Sequence, residues 1–499
     1  SPRPYQKRSI DAAVSWMKKN TESCVLDLSM SAGKSIIAAF IANEMHKISG
    51  GKKVLVLCPN ATLVSQNAEK YAMISDEYSI YSASISKSLR HSVVFATPMS
   101  FIGIVDQTNG EYCCVIVDEG DSITETVKKI IATLKEKNDL LRVCSMTGTP
   151  YRTGEGWIAE IDVDGSIIEE ASNPYYKKIG ERVTPRELID LGFATPPKGV
   201  DVSKKYDTSK LKIGSGGGFN RSDIDEAFTG QGRKTAAIVE DIVNYSNLIN
   251  ARGVMIFGAT IKHCQEIMDS LPNYNSGVIN GEMGDKHNKK VIEDFRNQKI
   301  RYLVNVNMAT VGFSVDHVDI IAILRPTESS RLYQQILGRG MRLDPEKKEF
   351  LLLDYTDNIQ KLFPSGDVFS PDIVAYGKKP QPKTHIQCPE CNNTNEVTLR
   401  PNPEGLDWNQ FGYFLDLAGD VAEFDGKPFP AHFTRRCSHV EARGKNIFER
   451  CNYYWSCKEC PECSHKNDLT ARRCESCGHE MINPNDKLIA EFTAFKKDL

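Results

Sequence analysis

Lys34 and Ser35 close the run Ser29-Met30-Ser31-Ala32-Gly33-Lys34-Ser35, which follows an apolar stretch at 25–28 and opens an amphipathic one at 34–48. Strand, tight loop and helix in that order make a phosphate-binding loop. Backbone N–H groups and the helix N-terminus there cradle phosphate oxygens. Lys34 would reach the β- and γ-phosphates of ATP, and the Ser35 hydroxyl would ligate Mg²⁺. The loop is imperfect, because Leu28 stands where the full pattern has glycine. Gly-Lys-Ser alone also suits an ordinary helix start.

Val115-Ile116-Val117-Asp118-Glu119 reads as an apolar strand ending in two carboxylates. Asp118 suits a Mg²⁺ ligand, and Glu119 a general base that polarises the attacking water. A solvated turn is the alternative, but the carboxyl ends of strands are where open α/β sheets bind ligands. Later in the chain, Gln335, Gly338, Arg339 and Arg342 form a third cluster. Spacing of three residues predicts one helical face for Arg339 and Arg342. Two guanidinium groups there could clamp a γ-phosphate and offset transition-state charge. Surface ion pairing is the ordinary alternative.

Of fifteen cysteines, nine fall between Cys388 and Cys477. Cys388/Cys391, Cys460/Cys463 and Cys474/Cys477 are knuckles with two-residue spacing, the last two separated by ten residues. Such spacing predicts two closed four-thiolate Zn²⁺ sites. One is Cys460, Cys463, Cys474 and Cys477; the other is Cys388 and Cys391 with Cys437 and Cys451. Cys457 is left over, although its spacing to Cys460 competes, and His439, His465 and His479 are alternates. An iron–sulfur cluster is the rival and suits two knuckle sets less well. Arg435, Arg436, Arg443, Lys445, Arg450, Arg472 and Arg473 lie among Phe433, Phe448, Tyr453, Tyr454 and Trp455. That mixture suits phosphate contact with base stacking, or a small aromatic core solvated by arginines.

The elements that must hold these groups are legible as two α/β runs. Continuous apolar stretches at 25–28, 54–57, 93–96, 113–117 and 141–146, then at 254–258, 277–279, 302–306, 319–324 and 350–353, predict strands buried on both faces of parallel sheets. Helical stretches at 34–48, 62–73, 234–249, 261–271 and 286–298 alternate with them. The predicted organisation is an α/β domain at 1–155, a connector at 156–230 with a helix at 185–191 and a Gly-rich loop at 214–218, and a second α/β domain at 231–362. A Pro-punctuated linker at 363–384, the cysteine module at 385–482 and a helical tail at 483–499 follow.

With 40% apolar and 25% charged residues, the 499-residue chain is neither disordered nor fibrous. It has no apolar run of membrane-spanning length and no signal-like N-terminal stretch, so no membrane is expected. The balance of 62 basic against 65 acidic residues confines nucleic-acid binding to local patches. Scattered cysteines before residue 270 suit a reducing, cytoplasmic setting.

In combination these motifs resemble the superfamily 2 helicases and translocases, over residues 3–355 and in family order. Arg3-Pro4-Tyr5-Gln6 resembles the adenine-reading motif, with Gln6 as reader. Ser29–Ser35 is similar to motif I and Asp118-Glu119 to motif II. The stretch from Cys58-Pro59-Asn60 to Gln66, and Ala96-Thr97-Pro98, resemble the nucleic-acid-contacting motifs Ia and Ib. Thr147-Gly148-Thr149-Pro150 resembles the coupling motif III, Phe257–Thr260 motif IV, Thr310-Val311-Gly312-Phe313 motif V, and Gln335–Arg342 motif VI.

The resemblance implies two tandem RecA-like P-loop domains, with ATP in the cleft between them and coupling through Asp121, Thr147, Thr149 and Thr310. Among such proteins the chain is most similar to the RadD-type bacterial DNA-repair ATPases, at 301–306, 320–329 and 332–335 and in its cysteine module. That similarity implies a monomeric, DNA-dependent ATPase acting on single-stranded or branched DNA in repair or recombination. Single-stranded-DNA-binding protein is the implied partner, and the cytoplasm of a bacterial or phage-infected cell the setting. The rivals are an RNA helicase, an ATP-gated recruitment scaffold and a restriction motor. Three residues depart from the pattern: Asp121 replaces the usual His, Ser31 a Gly, and Ser314 an Asp.

Overall fold

The computed structural model describes residues 2–152, 156–211, 219–272, 275–306, 315–327, 329–363, 367–369, 383–400, 405–416, 418–424, 426–432, 434–444, 447–468 and 471–481. They form two compact units, one ending at Phe193 and the other beginning at Ala194.

The first unit is built on a nine-stranded sheet. In chain order its strands are β1 (Cys24–Leu28), β2 (Lys53–Leu57), β3 (Tyr78–Ser82), β4 (Ser86–Lys87), β5 (Val93–Ala96), β6 (Tyr112–Asp118), β7 (Arg142–Thr147), β8 (Ala159–Ile161) and β9 (Tyr176–Val183). Their spatial order is β8-β9-β1-β7-β6-β2-β5-β3-β4. All pair in parallel except β3 with β4. Every residue of β6 is buried, because helices cover both faces of such a sheet. Fully burying each Val or Ile side chain there contributes about 1.5–3 kcal/mol. Helix Pro4–Lys19, absent from the predicted elements, starts with Pro at its first turn and buries Tyr5, Ser9, Ala13 and Met17 at four-residue spacing.

The second unit holds a six-stranded parallel sheet. Its strands are β10 (Pro197–Val200), β11 (Gly253–Gly258), β12 (Ser276–Ile279), β13 (Tyr302–Asn305), β14 (Val318–Leu324) and β15 (Phe350–Asp354). They run in the order β10-β15-β14-β11-β13-β12.

The 156–230 segment read as a connector supplies strands to both sheets. β9 pairs with β1, and β10 pairs with β15. Its predicted helix runs Pro185–Asp190. The Gly-rich run and the C-terminal tail lie outside the described residues.

The cysteine module belongs to the second unit. It consists of short antiparallel pairs such as Lys383–Gln387 with Thr394–Thr398 and Lys458–Glu459 with Lys466–Asn467. Among the described residues its buried core cluster is small, comprising Ile386, Cys388, Val397, Cys437 and Trp455. A core of that size needs cross-links or metal to be stable.

Candidate nucleotide site and metal centres

β1 delivers the chain into the loop 29–33, and helix Lys34–Ile48 leaves it. Gly33 sits at φ +78, and a Cβ there would lie 2.5 Å from Gln6 Nε2. Glycine adopts this backbone without strain, and a side chain there would displace the Gln6 amide. The Gln6 amide donates to Ala32 O at 3.0 Å, and its Oε1 accepts from Arg3 N at 2.9 Å. The expected adenine reader is thus fastened to the phosphate loop. Arg3 lies over the Phe193 ring at 4.1 Å and donates to Tyr5 OH at 3.2 Å. Tyr5 itself is fully buried against Phe193. Ser31, the departure from glycine, also holds a left-handed conformation at φ +72, and its buried hydroxyl finds no partner among the described residues. Ser29 N donates to Val183 O at 3.0 Å, tying the loop to β9.

Lys34 Nζ lies 2.9 Å from Glu119 Oε1. Burial works against the Lys34 ammonium, but Glu119, Asp118 and Asp121 outweigh it and hold its pKa above the usual lysine value. Burial pushes the Asp118 carboxyl up; Lys34 opposes that and Glu119 adds to it. Asp118 accepts from Asn67 Nδ2 at 2.9 Å and from Glu119 N at 3.1 Å. Three carboxylates thus share one lysine. The donor set, carboxylate and Ser35 hydroxyl oxygens, fits a hard cation such as Mg²⁺. Asp121 accepts from Thr147 Oγ1 at 2.8 Å, and Thr149 N donates to the same hydroxyl oxygen at 3.1 Å. Asp121, Thr147 and Thr149, the residues expected to couple, are therefore one hydrogen-bonded group. Thr310 and Gly312 lie outside the described residues.

In the second unit, helix Ser330–Gly340 starts at Ser329, whose Oγ accepts from Leu332 N at 3.2 Å. Gln335 and Arg339 are buried on it. The predicted shared helical face for Arg339 and Arg342 is corrected here. The helix ends at Gly340 with Met341 as its C-cap, so Arg342 lies beyond it. Three residues on, Pro345 disfavours helical backbone at Asp344. Thr195 then fixes the turn, its N donating to Met341 O at 2.8 Å and its hydroxyl to Arg342 O at 3.0 Å. Burial lowers the Arg342 pKa, partly opposed by Asp316. Arg252 ties the following loop to β14, bonding Asp319 at 2.9 Å and Asp344 at 2.7 Å.

Both predicted cysteine sets come together, with the ligand atoms of each within 4.8 Å of one another. Closest Sγ–Sγ separations are 3.7 Å for Cys388–Cys451 and 3.6 Å for Cys391–Cys437. They are 3.6 Å for Cys460–Cys477 and 3.5 Å for Cys463–Cys474. These are far beyond a disulfide bond of about 2.05 Å. They approach the edge of about 3.8 Å expected for a tetrahedron with Zn–S near 2.3 Å. Asn395 Nδ2 points at Cys437 Sγ and Asn467 Nδ2 at Cys474 Sγ, the N–H donation that thiolate ligands attract. Zinc therefore fits both tetrads. Cys457, His439, His465 and His479 are in neither.

Asn67, Thr195 and Arg252 were not legible as site residues. Asn67 follows the Ia-like stretch directly, which is a faint signal; Thr195 and Arg252 carry none.

Residues 1–152 match the family described as type III restriction enzyme, res subunit, and residues 235–344 match the helicase conserved C-terminal domain. The ATP-dependent helicase Irc3 of Saccharomyces cerevisiae is 20% identical over 372 residues, covering 71% of this chain and 51% of that protein. The EcoKI type I restriction endonuclease subunit of Escherichia coli is 27% identical over 268 residues, covering 50% of this chain and 20% of that subunit. This chain thus spans about half of the yeast protein and a fifth of the bacterial one. Among solved structures, an HsdR subunit fragment of a type I restriction enzyme from Vibrio vulnificus superposes with a TM-score of 0.55 at 18% identity, covering 75% of this chain and 68% of that one. The chain carries two helicase-type domains.

Proposed function

We propose that this chain is a superfamily 2, RadD-type ATP-dependent DNA helicase or translocase, which uses ATP turnover to move along or remodel DNA in repair or recombination. The observation that carries the reading is the contact of Lys34 with Glu119, beside Asp118, at the carboxyl ends of β1 and β6.

ATP binding transfers Lys34 from Glu119 to the β- and γ-phosphates. Asp118 and Ser35 would hold Mg²⁺, which offsets charge on those phosphates when bound. Glu119, released, orients a water and takes its proton. The water oxygen attacks the γ-phosphorus, the bond from phosphorus to the β,γ-bridging oxygen breaks, and ADP and phosphate result. Gln335, Arg339 and Arg342 belong to the same reaction, the arginines offsetting charge on the transferring group. Asp121 with Thr147 and Thr149 relays nucleotide state to the DNA-contacting motifs, together with Thr310. The two cysteine tetrads would hold zinc ions that tie the module together; its Arg436 stacks over Tyr454 at 4.8 Å, a pairing suited to backbone contact and base stacking. Single-stranded or branched DNA is the substrate, single-stranded-DNA-binding protein a partner, and the working form a cytoplasmic monomer.

The test is ATP turnover with single-stranded, duplex and branched DNA and with RNA oligonucleotides. Strong stimulation by DNA, greatest with single-stranded or branched forms, supports the reading. Stimulation by RNA alone replaces it with an RNA helicase, and turnover indifferent to every nucleic acid replaces it with an ATP-gated scaffold.

A further inference from the structure

Glu119 occupies the left-handed region, at φ 55 and ψ 52. A residue with a side chain held there is strained and persists only when its surroundings fix it. Three donors fix the residues just after it. Tyr176 OH donates to Gly120 O at 2.8 Å, Arg152 Nε to Asp121 O at 2.9 Å, and Thr147 Oγ1 to Asp121 Oδ1 at 2.8 Å. Gly120 has no room for a side chain, since a Cβ would lie 2.5 Å from Ser145 Cβ and 2.8 Å from the Tyr176 oxygen. Tyr176 is itself immobilised. It is 1% exposed, its N donates to Ile158 O at 3.0 Å, and its ring stands edge-on to Tyr175 at 5.1 Å. It opens β9, which pairs directly with the strand feeding the phosphate loop. Burial raises the phenol pKa well above its ordinary value, so the hydroxyl remains a proton donor.

From this geometry we infer that Tyr176 is a positioning residue for ATP hydrolysis: its hydroxyl, bonded to Gly120 O, holds Glu119 in the strained conformation that aims its carboxylate at the attacking water. Arg152 adds a second anchor through Asp121 O. The inference rests on the proposed role of Glu119 as base. Removing the Tyr176 hydroxyl frees the peptide after Gly120, which lets the backbone at Glu119 relax and the carboxylate swing off line. Nucleotide binding, which uses the phosphate loop, stays intact.

The experiment compares wild type, E119Q, Y176F and G120A in the full-length chain. It measures steady-state ATP turnover and, by calorimetry, affinity for the non-hydrolysable analogue AMP-PNP with Mg²⁺. Y176F and G120A are each expected to lower kcat about 10- to 100-fold, the penalty of a misplaced catalytic group. Affinity for AMP-PNP and KM for ATP should stay within about twofold, because the lost interaction serves the transition state. A merely structural role would move affinity and turnover together, and that result overturns the inference, as does an unchanged kcat in Y176F. Loss of turnover in E119Q but not in Y176F removes this inference alone. Turnover that E119Q leaves intact removes the proposed base as well.

Discussion

Lys34 Nζ donates to Glu119 Oε1 across 2.9 Å, so the group expected to grip phosphate and the group expected to activate water occupy each other. Both side chains are mostly buried, 15% and 18% exposed. A buried ion pair is weak evidence for stability, yet removing one partner is strongly destabilising because the other charge stays behind. E119Q should bind AMP-PNP at least as tightly as wild type, since it removes the carboxylate that competes for Lys34. Its phosphate release should fall about 10²- to 10⁴-fold, the usual value of a general base. K34A should abolish turnover and lower the melting temperature, because it leaves Glu119 without this cation. Calorimetry, phosphate release and thermal melting check the three statements.

Asp121 stands where the family pattern has histidine, and it accepts from the buried Thr147 hydroxyl at 2.8 Å. D121N keeps an oxygen in the accepting position and should melt near wild type. D121A strands the hydroxyl and should cost about 1–3 kcal/mol, read from urea unfolding. If this bond carries coupling, D121A should also lose most of the stimulation of turnover by DNA, and D121N should retain it.

The legible part of the site is the part whose chemistry needs fixed residue types at short spacing. The phosphate loop, the acidic strand end and the cysteine tetrads fall in this class, as do strands such as β6 that are buried on both faces. What was not legible depends on distant contacts. β9 reads Tyr-Lys-Lys-Ile-Gly-Glu-Arg-Val, and only Tyr176, Ile179 and Val183 are buried. Its charged residues hide a strand that lies beside β1 and anchors both the phosphate loop and Gly120. Arg342 was drawn onto the helix by spacing alone, whereas Thr195, remote in sequence, decides the turn it occupies. Helix Pro4–Lys19 did carry a signal in its four-residue burial period, behind a proline at its first turn.

That turn makes a separate prediction for Arg342. Its side chain is 33% exposed overall and its guanidinium lies 4.0 Å from Asp316, so R342A should disturb the fold little. If Arg342 offsets charge on the transferring phosphate, R342A should lower kcat by about 10³-fold, the lower range for such arginines. R342K should rescue it only in part, because an ammonium lacks the planar fork. T195V, which removes the hydroxyl bonded to Arg342 O, should cause a smaller fall. Turnover measured at saturating ATP separates these from effects on binding.

The two tetrads should hold two zinc ions per chain, with no visible absorbance of an iron–sulfur cluster. C391S and C463S should each lose one ion, and C457S should keep both, since Cys457 is in neither set. Chelation should unfold the module, because its core is a handful of side chains around Trp455. Elemental analysis of each variant, with Trp455-sensitive near-ultraviolet dichroism during chelation, checks these outcomes.

His263 sets a pH dependence in the second unit. Its Nδ1 accepts from Ala259 N at 3.2 Å, which leaves Nε2 as the protonated nitrogen, 2.9 Å from Tyr206 OH. The ring is fully buried, and burial drives its pKa down to about 3. The unfolded chain has a histidine pKa of about 6.5. Between these values the unfolded state binds more protons than the folded one. The stability contribution is therefore complete above about pH 6.5 and is lost as pH falls toward 3, with a slope approaching about 1.4 kcal/mol per pH unit. His432 is shifted the same way, to about 3, by burial and by Arg400, and acts in the cysteine module. Urea unfolding of wild type at pH 7 and pH 5 should differ by about 2 kcal/mol from His263 alone. H263Q, less stable at pH 7, should show a smaller difference between the two pH values. An equal difference in H263Q and wild type would assign the acid sensitivity to other groups.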